Sequence, residues 1–106
     1  MSQPQAAAAT PRFALKCLTA SIDMKAYPIV GMNMQDVMLA GAPDWIAPKQ
    51  RVDFSFIIDL QGKERHLPTY GVVLTNDARG LDIRYRPPTS QWRAILLKLL
   101  TEQGGK

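Results

Sequence analysis

Apolar and polar residues alternate along much of the chain with the two-residue period of half-buried β-strands. The clearest run places Val52, Phe54, Phe56, Ile58 and Leu60 on one side of a strand, with the polar residues Asp53, Ser55 and Asp59 on the other. Clusters of Gly, Pro, Asn and Asp separate this run from similar ones. The pattern therefore predicts a body built mainly of short strands.

Six strands are predicted in all. They cover Phe13 to Ile22 with a bulge where the apolar phase slips, Tyr27 to Asn33, Val37 to Leu39, Val52 to Leu60, His66 to Leu74, and Leu81 to Tyr85. Short antiparallel strands at this spacing favour a closed sheet, because closure protects the edges that an open sheet leaves bare. We predict a mainly β fold, a small antiparallel six-stranded β-barrel followed by a C-terminal α-helix.

The predicted helix follows Pro87-Pro88, which end the last strand. Its apolar residues recur at helical spacing and form one stripe: Trp92, Ile95, Leu96, Leu99 and Leu100. We expect this stripe to pack onto the barrel. Since Ala94 and Leu97 widen it, a second subunit is an alternative partner, and the chain is expected to be a monomer or a homodimer.

A chain of 106 residues provides one small core. Residues 1–10, rich in Ala and Gln, are predicted to form a flexible tail, and residues 11–103 the domain. The net charge of +4 favours an anionic partner without choosing one. A single cysteine, Cys17, and the lack of a signal sequence or membrane-spanning segment predict a cytoplasmic protein.

Catalytic chemistry finds little support in the sequence. His66 is the one histidine, and no nucleophile with an orienting carboxylate accompanies it. Cys17 lies among apolar neighbours and is expected to be a small core residue. Acidic residues are scattered singly. We predict a non-enzymatic protein without a metal or other cofactor.

The segment Asp36–Gly41 lies between two predicted strands. It resembles the [Asp/Asn]-x-Ser-x-x-Gly loop of PilZ domains, the bacterial receptors for cyclic di-GMP. The rest of the family's pattern follows in order, with Pro11-Arg12-Phe13, Tyr70-Gly71-Val72-Val73, Gly80–Tyr85 and a terminal helix. The resemblance covers roughly residues 10 to 100 and implies a PilZ-type barrel.

The resemblance implies roles for three residues of this loop. Asp36 matches the position that accepts hydrogen bonds from a guanine edge, and Gly41 matches the glycine of the turn. Met38 stands where the family has serine, so a hydroxyl is replaced by a bulky apolar group.

The family also has an Arg-x-x-x-Arg motif before the first strand, whose guanidinium groups bind phosphate and stack on guanine. Arg12 and Lys16 have this spacing. In the other register, which we prefer, Arg12 is the second arginine and Ala8 occupies the first position, because Lys16 then lies inside the strand. Either register lacks one arginine.

The resemblance implies a PilZ-like signalling adaptor of cyclic di-GMP pathways with a role in motility, surface attachment or biofilm exopolysaccharide. The departures from the motif predict weakened or lost binding of the nucleotide. The alternative is a functional receptor that uses Arg12, Asp36 and Gly41. An adaptor needs a protein partner, and Trp45, Leu39 and Leu99 are candidate contact residues. Trp45 has a competing interpretation as a plug for one end of the barrel.

A second alternative is a small basic barrel that binds single-stranded nucleic acid, which we regard as a less favoured partner. Such barrels combine aromatic stacking platforms with a basic face. Arg84 and Arg86, with Arg79 and Lys63, are candidates for the basic stripe. Phe54 and Phe56, however, share the apolar phase of one strand and are expected in the core.

Overall fold

The computed structural model describes residues 12–60 and 62–104, with side chains as far as residue 101. The predicted tail and Ala8 lie outside the described residues. The elements are β1 (Leu18–Ile22), β2 (Lys25–Met32), β3 (Asp36–Leu39), β4 (Arg51–Leu60), β5 (Lys63–Asp77), β6 (Gly80–Tyr85) and α1 (Trp92–Gly104).

The strands close into a barrel in the order β1-β2-β3-β6-β5-β4, and every neighbouring pair is antiparallel. Closure comes from the pairing of β1 with β4, in which Leu18 lies opposite Ile58. The predicted six-stranded barrel with a C-terminal helix is therefore confirmed. One connection matters for the site: β6 inserts between β3 and β5 and so pairs with β3.

The alternating residues of β4 point into the core as predicted, and Phe54 and Phe56 are both buried. Phe56 packs edge-on against Tyr85, with ring centroids 5.1 Å apart, and its ring is tilted against that of Trp92 at a centroid distance of 4.8 Å. Trp92, which begins α1, is 1% exposed. The apolar stripe of the helix thus packs onto the barrel, as expected, and the two phenylalanines are core residues.

The start of the barrel differs from the prediction. A turn occupies Lys16 and Cys17, where we expected a strand with a bulge, and β1 begins only at Leu18. The amide of Leu18 donates to the carbonyl of Leu15, which reverses the chain locally. Phe13 forms an isolated bridge with Met32. The segment before β1 therefore lies beside β2 without extending β1.

Candidate functional site

Asp36 and Met38 lie on the outer face of the barrel. They alternate in β3 with Val37 and Leu39, which are completely buried, so their side chains point outward. Across the ladder to β6, Asp36 lies opposite Arg84 and Met38 lies opposite Asp82. The predicted ligand loop is thus mostly a strand, and its polar side chains meet those of β6.

Arg12 reaches this face from the segment that precedes β1. Its two Nη atoms donate to the two carboxylate oxygens of Asp82, at 2.9 and 3.1 Å. Nη2 also lies 3.5 Å from Oδ2 of Asp36. A Cβ added at Gly31, on β2, would lie 3.5 Å from Cβ of Arg12. The arginine therefore crosses from β2 over β3 to the carboxylate on β6.

Arg84 completes the cluster through its Nε, which donates to Oδ1 of Asp36 at 3.0 Å. Asp36 is 8% exposed and has an arginine on each side. The hydrogen bonds to the carboxylates raise the pKa of Arg12, chiefly through Asp82, and the pKa of Arg84, chiefly through Asp36. The formal charges of Arg12, Arg84, Asp36 and Asp82 cancel.

The β2–β3 turn that presents Asp36 is fixed by Asn33. Its side-chain Oδ1 accepts hydrogen bonds from the amides of Gln35 and Asp36, both at 2.8 Å. The carbonyl of Asn33 accepts from the hydroxyl of Tyr85 at 2.7 Å, and that hydroxyl accepts from Nε1 of Trp92 at 2.8 Å. A buried hydrogen-bonded chain therefore links the helix to the turn beside Asp36.

The remaining residues of the predicted site are Gly41, Met38 and Lys16. Gly41 follows β3 with a φ of +75°, and a Cβ added there would meet nothing within 4 Å. A glycine at position 41 is therefore favoured by the backbone conformation and not by lack of space for a side chain. Met38 borders Gly80, where an added Cβ would lie 2.9 Å from Met38 Cγ. Lys16 is exposed in the turn before β1, so our placement of it inside the strand was wrong.

Two of the three predicted partner contacts are buried in the described structure. Leu39 is 0% exposed because it points into the barrel, and Leu99 is 3% exposed because it packs between α1 and the barrel. Trp45, by contrast, is 65% exposed, and its neighbour Ile46 is the buried residue of that loop. Of the two interpretations of Trp45, the structure favours the surface anchor, while Ile46 takes the buried position.

The proposed basic stripe is not continuous. Lys63 begins β5, whereas Arg79 follows its far end and pairs with Asp77 at 3.0 Å. Arg84 is held by Asp36, and the guanidinium of Arg86 lies 5.8 Å from the ring centre of Tyr70. Phe54 and Phe56 are buried, so neither is available as a stacking platform, and the candidate cations do not form the stripe expected of that alternative.

His66 and Cys17 do not form a site with each other in the described structure. His66 is exposed on β5, and its Nε2 lies 3.3 Å from Oε1 of Glu64. Cys17 lies half-buried in the turn before β1 and packs beside the core. Within the ranges described, no group of three or more His, Cys, Asp or Glu residues is placed to hold a metal ion.

Nothing in the sequence indicated that Asp82 belongs to the cluster around Arg12, and we had assigned Arg84 to a basic stripe. The alternation of Gly80–Tyr85 did place both on the outer face. Asp82 and Arg84 meet their partners because β6 pairs with β3. The paired residues are 42 or more positions apart, and nothing local in the sequence specifies that pairing.

Comparison with models of known protein families gives no match for this sequence, and comparison with curated proteins gives none. The resemblance to PilZ domains therefore depends on the motif residues and on where the fold places them. None of the helices in the described part of the chain has the length and apolar character needed to cross a membrane.

Proposed function

We propose that this chain is a PilZ-like, non-enzymatic adaptor domain of bacterial cyclic di-GMP signalling that works in the cytoplasm through protein contacts, with a weakened or lost nucleotide site. One observation carries the proposal: the arginine at the motif position, Arg12, is bound by two carboxylates of its own barrel. The outputs that the family resemblance implies are motility, surface attachment and exopolysaccharide control.

The position of these groups supports the family assignment. Asp36 and Met38 are alternate residues of β3, and Arg12 lies far from them in sequence. All three lie on the outer face of β2, β3 and β6. A ligand that needs a guanidinium beside a carboxylate would find both there. The six-stranded closed barrel and the terminal helix provide the framework that the resemblance implies.

The electrostatics of the same face support weak binding. A cyclic dinucleotide carries two phosphates, whereas the cluster of Arg12, Arg84, Asp36 and Asp82 has no net charge. For Arg12 to bind a phosphate it must leave the bidentate pair with Asp82, so the ligand competes with an existing charge-assisted contact. Such a contact contributes about 1.5–3 kcal/mol, which corresponds to roughly 10- to 100-fold in affinity.

Met38 is also expected to weaken binding of the nucleotide. Serine at this position would offer a hydroxyl, worth about 1 kcal/mol as a hydrogen bond. Met38 instead places an apolar chain on the outer face, against Gly80. The two effects share one cluster and are not expected to be strictly additive.

The competing candidate is a functional receptor that uses Arg12, Asp36 and Gly41. The position of Arg12 beside Asp36 on the outer face also favours this receptor, because an arginine held by carboxylates at that face can exchange one anionic partner for another. In that case cyclic di-GMP displaces Asp82 from Arg12, and Gly41 keeps the turn open.

The test is isothermal titration of cyclic di-GMP into the wild type and into Asp82→Asn, which removes the charge of the bidentate partner of Arg12 without changing side-chain size. We expect little or no heat from the wild type and at least tenfold tighter binding by the Asp82→Asn, Met38→Ser double variant. Adding Arg12→Ala should abolish that gain. Asp53→Asn is the matched control, because it breaks another exposed Arg–Asp pair, with Arg51, elsewhere on the barrel.

Two results would decide against the proposal. Micromolar binding by the wild type that disappears with Arg12→Ala would identify a functional receptor. No gain from Asp82→Asn and Met38→Ser together would mean that this face is not the nucleotide site. Circular dichroism of each variant shows whether the barrel is intact before the titrations are compared.

A further inference from the structure

A groove lies between α1 and the β4–β5 hairpin, away from the Arg12 cluster. Its volume is about 440 Å³, and it is lined by four aliphatic and three cationic side chains. We call it the helix–hairpin groove, and its lining residues are Ile58, Leu60, Ile95, Leu99, Lys63, Arg65 and Lys98.

The register of the hairpin produces this composition. Leu60 lies opposite Lys63, and Ile58 lies opposite Arg65, so each aliphatic residue of β4 has a cation as its cross-strand neighbour. Farther along β5, Leu67 is buried at the next position of the same alternation. The core-facing row of β5 thus changes from apolar to cationic where the hairpin reaches the helix.

The cations of the groove are uncompensated within the described structure. Its ion pairs involve Arg12, Arg51, Arg79, Arg84 and His66, and none involves Lys63, Arg65 or Lys98. No acidic side chain is among the residues that line the groove. The neighbouring carboxylate of Glu64 belongs to the opposite face of β5, where it lies beside His66.

We propose that the helix–hairpin groove binds an acidic amphipathic peptide segment of a partner protein. Aliphatic side chains of the peptide would contact the floor formed by Leu60 and Ile95, and flanking Asp or Glu residues would pair with Lys63, Arg65 and Lys98. This inference goes beyond the proposed function by giving the adaptor a specific contact surface, and it does not require cyclic di-GMP to bind.

The shape and chemistry of the groove favour a peptide over other anions. Single-stranded nucleic acids bind to basic grooves through aromatic stacking, and the lining residues here include no aromatic side chain. A membrane surface is better matched by apolar side chains that project from the protein, whereas Ile58 and Leu99 are buried in the groove floor. Recognition of an amphipathic segment through a groove with charged borders is a recurring mode of peptide binding.

The experiment selects binders from a random 12-residue peptide library displayed on phage, using the full chain without nucleotide. We expect enrichment of sequences that combine Asp or Glu with spaced Leu, Ile or Phe. Synthetic versions of the enriched peptides are then measured by fluorescence anisotropy. Binding should weaken with rising salt, since the pairs are at the surface.

Charge reversal locates the site. The Arg65→Glu, Lys98→Glu double variant should weaken peptide binding at least tenfold, whereas Arg93→Glu, an exposed cation of α1 outside the groove, should change it less than threefold. All substituted positions are exposed, and circular dichroism checks that the variants remain folded. The nucleotide titration is a separate readout, so either proposal can fail without the other.

The proposal is overturned if enriched peptides lack acidic residues, or if the double variant binds them as tightly as the wild type does. It is also overturned if a dT15 oligonucleotide or vesicles containing phosphatidylserine bind more tightly than the peptides and lose that binding in the double variant. Such a result would assign the groove to nucleic acid or to an anionic membrane.

Discussion

The hydroxyl of Tyr85 is predicted to hold the helix to the barrel. Tyr85 is 4% exposed, and its hydroxyl both donates to the carbonyl of Asn33 and accepts from Nε1 of Trp92. Tyr85→Phe keeps the ring contacts but leaves the buried indole N–H without its acceptor. An unsatisfied buried group costs about 1–3 kcal/mol, and the lost bond to the carbonyl adds about 1 kcal/mol. We therefore expect a destabilisation of about 2–4 kcal/mol.

The assay is urea unfolding followed by far-ultraviolet circular dichroism. With a urea dependence of about 1–3 kcal/mol/M, the midpoint should fall by on the order of 1–2 M. Tyr70→Phe is the matched control: its ring packs under Arg51 at 4.1 Å, and no described residue hydrogen-bonds its hydroxyl. It should change the free energy of unfolding by less than about 0.5 kcal/mol. If Tyr85→Phe behaves like Tyr70→Phe, the hydrogen-bonded chain does not stabilise the fold.

Three further predictions concern strain, packing and pH. Met24 has a φ of 67° and is 98% exposed, so Met24→Gly should relieve backbone strain and raise the free energy of unfolding by about 0.5–1 kcal/mol in urea titrations. Gly71→Ala should lower it by at least about 2 kcal/mol, or prevent folding, because the new Cβ would collide with the carbonyl oxygen of Arg84 and lie 2.9 Å from Cα of Tyr85; a stable, native-like Gly71→Ala protein would contradict the described register. Burial raises the pKa of Tyr85 to about 12 from 10.0, so the unfolded chain loses this proton first and stability should fall between pH 10 and 12. In Tyr85→Phe that part of the decline should be absent, which unfolding curves at stepped pH would reveal.

Much of the fold followed from local pattern. The alternation of Val52 to Leu60 fixes which face of β4 is buried, and the spacing of Trp92, Leu96 and Leu99 fixes the buried side of the helix. The strand pattern is a strong signal because a one-residue slip would turn an entire strand face outward. The start of β1 was misplaced because Phe13, Leu15 and Cys17 recur at every second position, as in a strand. In the structure, hydrogen bonds between Phe13 and Met32 and a turn determine the conformation of this segment.

The candidate site was only partly predictable. Asp36 and Arg12 were recognised from their places in a motif, but their relation to Asp82 arises from strand order, with 70 residues between Arg12 and Asp82. Leu39 and Leu99 were assigned to a surface because an apolar residue beside a loop or on a helix has the same local signal whether it is buried or exposed. Only the closed barrel decides between these alternatives, as it also does for Trp45.

The distribution of charge gives the two proposals a common basis. The sequence has a net charge of +4, yet on the face where the family resemblance places a phosphate-binding arginine, every described guanidinium is balanced by a carboxylate. The groove beside α1 holds Lys63, Arg65 and Lys98 without such a partner among the residues described. An anion that approaches this barrel therefore meets a neutral cluster at the Arg12 face and net positive charge at the groove. If the chain acts as an adaptor, the attraction for an acidic partner should come from the groove, and raising the salt concentration should weaken that contact.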